Sequence, residues 1–374
     1  MALGLLAEIM GWTADDGAEA TREYAWLRLM SAVKYDGYSD FRAGVRFLES
    51  LATWLQQFAS ADRRAAYDFV KNRLVYLSFP ELQRLIEAFV PEVVTPTIRA
   101  VAAEEMDVRP YEVWSTRAGF DIFRRRLRRT LFVGMSDGSR IDTLRRTNAE
   151  RLSTEQIAPM MNIDTAKWRD LAAKLAEDVG AGGGARFDHV YLVDDFTASG
   201  TTFIRQVDGV WKGKLNTFNA LVQHAREEMG AAFPIASDYH LHVHHYISSH
   251  QARAALLDRL VTAVADWKER SFAKVDVTEG LLLPEGLKLS KGADPAIWDL
   301  SERYYDHALF KRLEKHCREA GQSDMRRGYA ECALPVVLDH NTPNNSLSLL
   351  WADTLGDDGA HPMRSLFRRR DRHG

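Results

Sequence analysis

Val190-Tyr191-Leu192-Val193-Asp194-Asp195-Phe196-Thr197-Ala198-Ser199-Gly200-Thr201-Thr202 decides how the rest of this chain is read. Four consecutive apolar residues predict a buried strand in a sheet covered on both faces. Two adjacent carboxylates close that strand. Unpaired charge in a dry core is expensive, so Asp194 and Asp195 are expected to face solvent, a metal or hydroxyl groups. Small hydroxylated residues follow, and a helix is expected from Thr202 to about Val210. N–H groups at a helix N-terminus, with the helix dipole behind them, attract anions. Thr197, Ser199, Thr201 and Thr202 add hydroxyl donors, and Gly200 lets the backbone approach closely.

Outward from this stretch, short apolar runs alternate with helical segments. Strands are expected at Leu131–Met135, Val190–Asp195, Tyr239–Ser248, Lys274–Leu283 and Leu334–His340. Helices are expected at Asn148–Met160, Thr165–Val179 and Gln251–Trp267. This alternation predicts an α/β fold with a mostly parallel sheet flanked by helices, in which ligands sit at the carboxyl ends of the strands. The first third differs. Phe41, Val45, Leu48, Leu51, Leu55 and Phe58 recur at helical spacing, and Ser78-Phe79-Pro80-Glu81 carries the residues of a capping box. The expected organisation is a helical region at 1–119, a sheet-bearing core at 120–285 and a C-terminal extension at 286–374 that completes the sheet. Gly180–Gly184 precedes a strand instead of opening a helix, so it reads as a connector and not a dinucleotide fingerprint.

Composition narrows the class. The chain has 374 residues, a formal net charge of −3 and two cysteines, Cys317 and Cys332. The charge gives no reason to expect a dedicated nucleic-acid binder. Two distant cysteines make neither a metal-ligand pair nor a secreted disulfide framework, so a cytoplasmic setting is expected. Met1–Trp12 is apolar but holds Glu8 and has no basic leader, and is expected to be a core-packing helix. No run approaches the roughly 20 apolar residues that span a bilayer.

Two carboxylates beside a phosphate cradle suit a ribose 5-phosphate: the acids take the ring hydroxyls and the loop holds the phosphate. The stretch 190–202 resembles the phosphoribosyl-pyrophosphate (PRPP) motif of type I phosphoribosyltransferases, with Ser199 where threonine is common. The resemblance implies a type I phosphoribosyltransferase-like sheet, with the C-terminal extension as its hood. It implies catalytic positions at Asp194 and Asp195, and a ribose 5-phosphate site at Thr197, Ala198, Ser199, Gly200, Thr201 and Thr202. It further implies a pyrophosphate loop after the preceding strand, which places Ser136, Asp137, Gly138, Ser139 and Arg140 there, with Arg145 and Arg146 as nearby charge. Magnesium is implied on the PRPP and not as a protein-bound ion. The implied activity is transfer of ribose 5-phosphate between pyrophosphate and a base-like acceptor, and an enzyme (a pentosyltransferase) is the favoured reading. A PRPP- or nucleotide-sensing regulator with the same pocket is the alternative.

Asn341-Thr342-Pro343-Asn344-Asn345, the apolar Leu347–Trp351 and the basic Met363–Arg370 end the chain. With the helical region and the PRPP loop, this tail resembles phosphoribosyltransferase-like proteins of bacterial conflict and retron-associated defence loci. That resemblance implies an effector in antiviral defence, with Asn341 and Asn344 either contacting a base or sugar or simply shaping the turn at Pro343. A protein partner on the helical region stays open. His240, His242 and His244 alternate along one strand and so share a face. Zinc is conceivable there, but hydrogen bonding to neighbours is the expectation. Five arginines in Arg124–Arg129 are expected on a solvated, ion-paired helix, not on a nucleic-acid surface.

Overall fold

The structure, a computed structural model, describes residues 2–39, 41, 46–180, 184–319, 321–356 and 359–369. Its strands are β1 (Val75–Leu77), β2 (Thr130–Gly134), β3 (Ile157–Pro159), β4 (Phe187–Thr197), β5 (Arg205–Val207), β6 (Val210–Lys212), β7 (Ile235–Ser248), β8 (Lys274–Leu282) and β9 (Val336–Leu338). The chain divides into two units, Gln83–Leu283 and Met1–Leu82 with Pro284–Gly374.

In the unit Gln83–Leu283, five strands form one sheet in the order β3-β2-β4-β7-β8, and every neighbouring pair is parallel. The fold is therefore α/β, a parallel sheet flanked by helices. Val190 to Val193 are fully buried, as an unbroken apolar run at the middle of a two-faced sheet requires. On one face Leu131, Val133, Val190, Leu192, Leu241 and Val243 pack on Trp168 and Leu171 of the helix Thr165–Val179 and on Phe218 and Val222 of the helix Lys214–Met229. The other face is aromatic. Phe132 stacks on Tyr191 at 5.5 Å between centroids, and Phe89 stacks on His244 at 4.1 Å.

Two expectations are corrected here. Asn148–Met160 is not a helix: its end is the edge strand β3, paired with Phe132–Gly134. Gln156 fixes the approach, its buried amide donating to the carbonyls of Leu127 and Thr130 at 2.8 Å each. Pro159 sits at the sheet edge, where a missing N–H is tolerated, and three residues are too few to display alternation. Leu334–His340 does not complete this sheet. Its strand β9 pairs in parallel with β1, a strand unforeseen in the first third.

The second unit is mainly helical and joins the two ends of the chain. Leu6 and Ile9 of the helix Ala2–Met10 are buried with Phe47, Leu51, Trp54 and Leu55 of the helix Phe47–Gln56. Val45, residues 181–183 of the glycine-rich connector and Arg370 lie outside the described residues. Phe367 is ringed by Tyr35, Tyr38, Phe41, Phe47 and Tyr76, all within 6 Å between centroids. Trp54 Nε1 donates to the Leu349 carbonyl at 2.7 Å. Ser78 and Glu81 form the expected cap, the Ser78 N–H and hydroxyl donating to Glu81 Oε2 at 2.8 and 2.6 Å. In the amide-rich loop, the Asn344 carbonyl accepts from Tyr329 N and Asn345 Nδ2 donates to the Tyr329 carbonyl.

Candidate functional site

β4 delivers its two acids to the carboxyl edge of the sheet, and alternation turns them to opposite faces. Asp194 is 4% exposed. Lys214, first residue of the helix Lys214–Met229, forms an ion pair with its Oδ2. The Ser136 hydroxyl donates to its Oδ1 at 2.5 Å. Burial raises the Asp194 carboxyl above its ordinary range, the neighbouring charge of Asp195 adds to this, and Lys214 and Ser136 oppose it. Asp195 is half-buried. So the acids do find partners, as the cost of burial demands, and for Asp194 those partners are a hydroxyl and an ammonium group.

The loop after β2 crosses the same edge. Met135 N–H donates to the Val193 carbonyl, which carries the chain towards β4. A Cβ at Gly138 would lie 2.4 Å from Asp195 Oδ2, so glycine is what lets this loop touch the acid. Ser139 is fully buried and donates to the Ser136 carbonyl at 2.6 Å. A Cβ at Gly134 would come within 2.5 Å of Ser139 Oγ. Ser139 thus holds the turn closed. Arg140 adopts a left-handed conformation at φ 46°. Arg145 donates to the Ile157 carbonyl and Arg146 pairs with Asp142.

The hydroxyl-rich loop is braced from the side of the helix His250–Asp266. Ser249 donates through its N–H to the Thr197 carbonyl at 2.9 Å and through its hydroxyl to the Ala198 carbonyl at 2.6 Å. Arg259 donates to the carbonyls of Ser199 and Ile204 at 3.3 and 3.2 Å. In a trans peptide the C=O and N–H point in opposite directions. The N–H groups of Ala198, Ser199 and Gly200 therefore face away from this brace, and successive amides on one side of a loop are donors of the kind that bind anions. Gly200, at φ 68°, lies against Leu256. Thr197, Ser199 and Thr201 are each under a tenth exposed, while Thr202 is open to solvent.

The helix expected at Thr202 to Val210 is absent. The hairpin β5–β6 occupies that stretch, and the helix begins only at Lys214. Its turn is Asp208-Gly209, both at positive φ, the residue pair that favours a two-residue hairpin turn; that signal was present in the sequence. The first helical N–H groups, of Lys214 and Leu215, donate to the carbonyls of Thr202 and Phe203. They are spent on the loop, so the donors left to meet an anion are loop amides and not a helix N-terminus.

Sequence reasoning missed Lys214, Ser249, Arg259 and His245. The hairpin hides Lys214, which stands 20 positions after the acid it pairs with. His245 is the register partner of Asp194 on β7. Burial pushes it down to about 3, Lys214's charge adds to this and Asp195 opposes it, so it stands neutral beside the acids. The arginines of Arg124–Arg129 behave as expected: Arg125 and Arg126 pair with Glu105, Arg126 and Arg129 with Asp188, and Arg128 with Asp178. No helix among the described residues is long and apolar enough to cross a membrane.

A family model described as PRTase-CE matches residues 51–369 of the chain. No curated protein and no solved structure matches it.

Proposed function

The chain belongs to the PRTase-CE family, which is phosphoribosyltransferase-like, and from that premise we propose that it binds PRPP and transfers ribose 5-phosphate to or from a base-like acceptor with pyrophosphate as leaving group. The supporting observation is the meeting of two loops at adjacent strand ends, Ser136 on Asp194 and Gly138 against Asp195. In this reading the two acids take the ribose hydroxyls. The amides of Ala198, Ser199 and Gly200, with the hydroxyls of Thr197, Ser199, Thr201 and Thr202, take the 5-phosphate. Ser136 to Arg140 face the pyrophosphate, with Ser139 serving the turn.

The residues suit a magnesium-bearing ligand. Asp194 is raised by burial and by its like-charged neighbour, against Lys214 and Ser136, so a further cation near the acids would favour their charged forms. Magnesium carried on the pyrophosphate would offset the charge that builds on the leaving group. The chain's own part is to position the sugar and hold fixed charges around it, which needs no conspicuous general base.

The test is calorimetric titration of PRPP with magnesium into wild type and Asp195→Asn, the half-buried acid, with circular dichroism to confirm the fold. Micromolar-range binding that Asp195→Asn weakens supports the reading. A folded wild type that takes up no PRPP refutes it. Pyrophosphate release across a panel of bases then tests turnover.

A second reading has its own support. Most of the hydroxyl loop is buried, and Lys214 already sits on Asp194. Those features suit a pocket that senses PRPP or a nucleotide, as a regulator or a defence effector, without turnover. PRPP binding with no pyrophosphate release from any base would favour it.

A further inference from the structure

Far from the acids, three imidazoles meet across two strands. β4 supplies His189, and β7 supplies His240 and His242, all on the aromatic face. His189 Nδ1 and His242 Nε2 lie 2.9 Å apart, and one ligand atom from each of the three rings lies within 4.8 Å of the others. His244, next on that face, is not part of the group: it bonds to the Thr278 hydroxyl and stacks on Phe89.

β8 brings a carboxylate to the same place. Asp276 is the register partner of His242, and its Oδ2 lies 2.7 Å from His240 Nε2 and 3.9 Å from His242 Nδ1. Yet His240 Nε2 has no aligned hydrogen-bond partner. The nitrogen and the oxygen stand at ion-pair distance, a contact that a bound cation would take over by drawing both atoms to itself. Two of the nearby cations are engaged elsewhere, Arg126 by Glu105 and Asp188 and Arg129 by Asp188, and Lys274, the register partner of His240, adds its charge beside that ring.

We propose that His189, His240, His242 and Asp276 form a zinc site that ties β4, β7 and β8 together. Three imidazoles and one carboxylate are a zinc ligand set. Zn–N bonds of about 2.0–2.1 Å in a tetrahedron place ligand atoms about 3.3 Å apart, so shifts of about 1.5 Å or less bring the three imidazoles onto one ion, and Asp276, beside His240, turns in as the fourth ligand. An entry path exists, because the Asp276 side chain is 59% exposed and that of His240 26%, while His242 is 2% exposed. Five residues of β4 separate His189 from Asp194, about 16 Å at the rise of a strand. The ion is thus structural and does not reach the ribose.

The test uses the full-length chain, stripped with chelator and titrated with zinc, with metal content read by atomic emission. His240→Asn and Asp276→Asn remove the two partly exposed ligands, where refolding is least at risk. Wild type is expected to retain about one zinc per chain, and each variant to bind at least about tenfold more weakly. Cobalt(II) in place of zinc should give the intense visible bands of a tetrahedral site. Chelation should lower the wild-type melting temperature and leave PRPP titration unchanged. A wild type that retains no zinc overturns the proposal, as do variants that retain it undiminished or a cobalt spectrum typical of six-coordinate ions. Each would identify the group as a hydrogen-bonded imidazole stack.

Discussion

Replacing Gly138 with alanine adds one methyl group in the middle of the candidate site. Its backbone needs no left-handed conformation, and the three atoms nearest the new Cβ all belong to the Asp195 carboxyl group, Oδ2 at 2.4 Å and Cγ at 2.8 Å being closest. Ordinary contact begins near 3.4 Å, so the carboxylate must retreat by about 1 Å. Moving Asp195 off its preferred rotamer costs about 0.5–1.5 kcal/mol. A 1 Å error in a positioning group costs about 100-fold in function. Gly138→Ala is therefore expected to weaken PRPP binding about 100-fold while lowering stability by about 1 kcal/mol. Calorimetric titration and urea unfolding of the same preparation separate the two effects. In an Asp195→Asn background the added loss should shrink, because both changes act on one side chain. A folded Gly138→Ala protein with wild-type affinity would refute the juxtaposition of loop and acid, and so would full additivity of the two changes.

Lys214→Met leaves the buried Asp194 carboxylate without its cation and should cost about 3–5 kcal/mol in urea unfolding at neutral pH. Because the Asp194 carboxyl is raised in the fold, its protonated form is the better tolerated, so the deficit should narrow as pH falls; a loss that does not change with pH contradicts this. His189, His242, His244 and His245 are held by burial at about 4, 2, 3 and 3, below their ordinary 6.5. The unfolded chain takes up their protons first, so stability present above pH 6.5 drains away as pH falls towards 4, by up to about 1.4 kcal/mol per pH unit for each histidine. Urea midpoints that stay level between pH 7 and pH 5 would show these rings to be solvated. Gly209→Ala meets no neighbour but must adopt φ 77°, so thermal unfolding should show a loss of about 1–2 kcal/mol, and an unchanged melt would mean a different hairpin turn.

Local chemistry made part of this molecule legible. An unbroken apolar run closed by two acids fixes a buried strand and the need for partners at its end, because hydrophobicity and charge are properties of neighbouring residues. The cap at Ser78 and Glu81, the helix at Thr165–Val179 and the ion-paired arginines of Arg124–Arg129 belong to the same class: each depends on residues a few positions apart. The Asp208-Gly209 turn is equally local; it replaces the expected helix and leaves loop amides, not a helix end, as the candidate anion donors.

Tertiary structure alone decided the remainder. That Lys214 and Ser136 are the partners of Asp194, that Gly138 touches Asp195, and that His189 rather than His244 joins His240 and His242 all follow from strand register. So does the pairing of Val75–Leu77 with Val336–Leu338, which unites the two ends of the chain. Register is set by the burial of whole faces, summed over strands far apart in the chain. No spacing rule along the sequence encodes it, so these contacts became readable only once the sheet was formed.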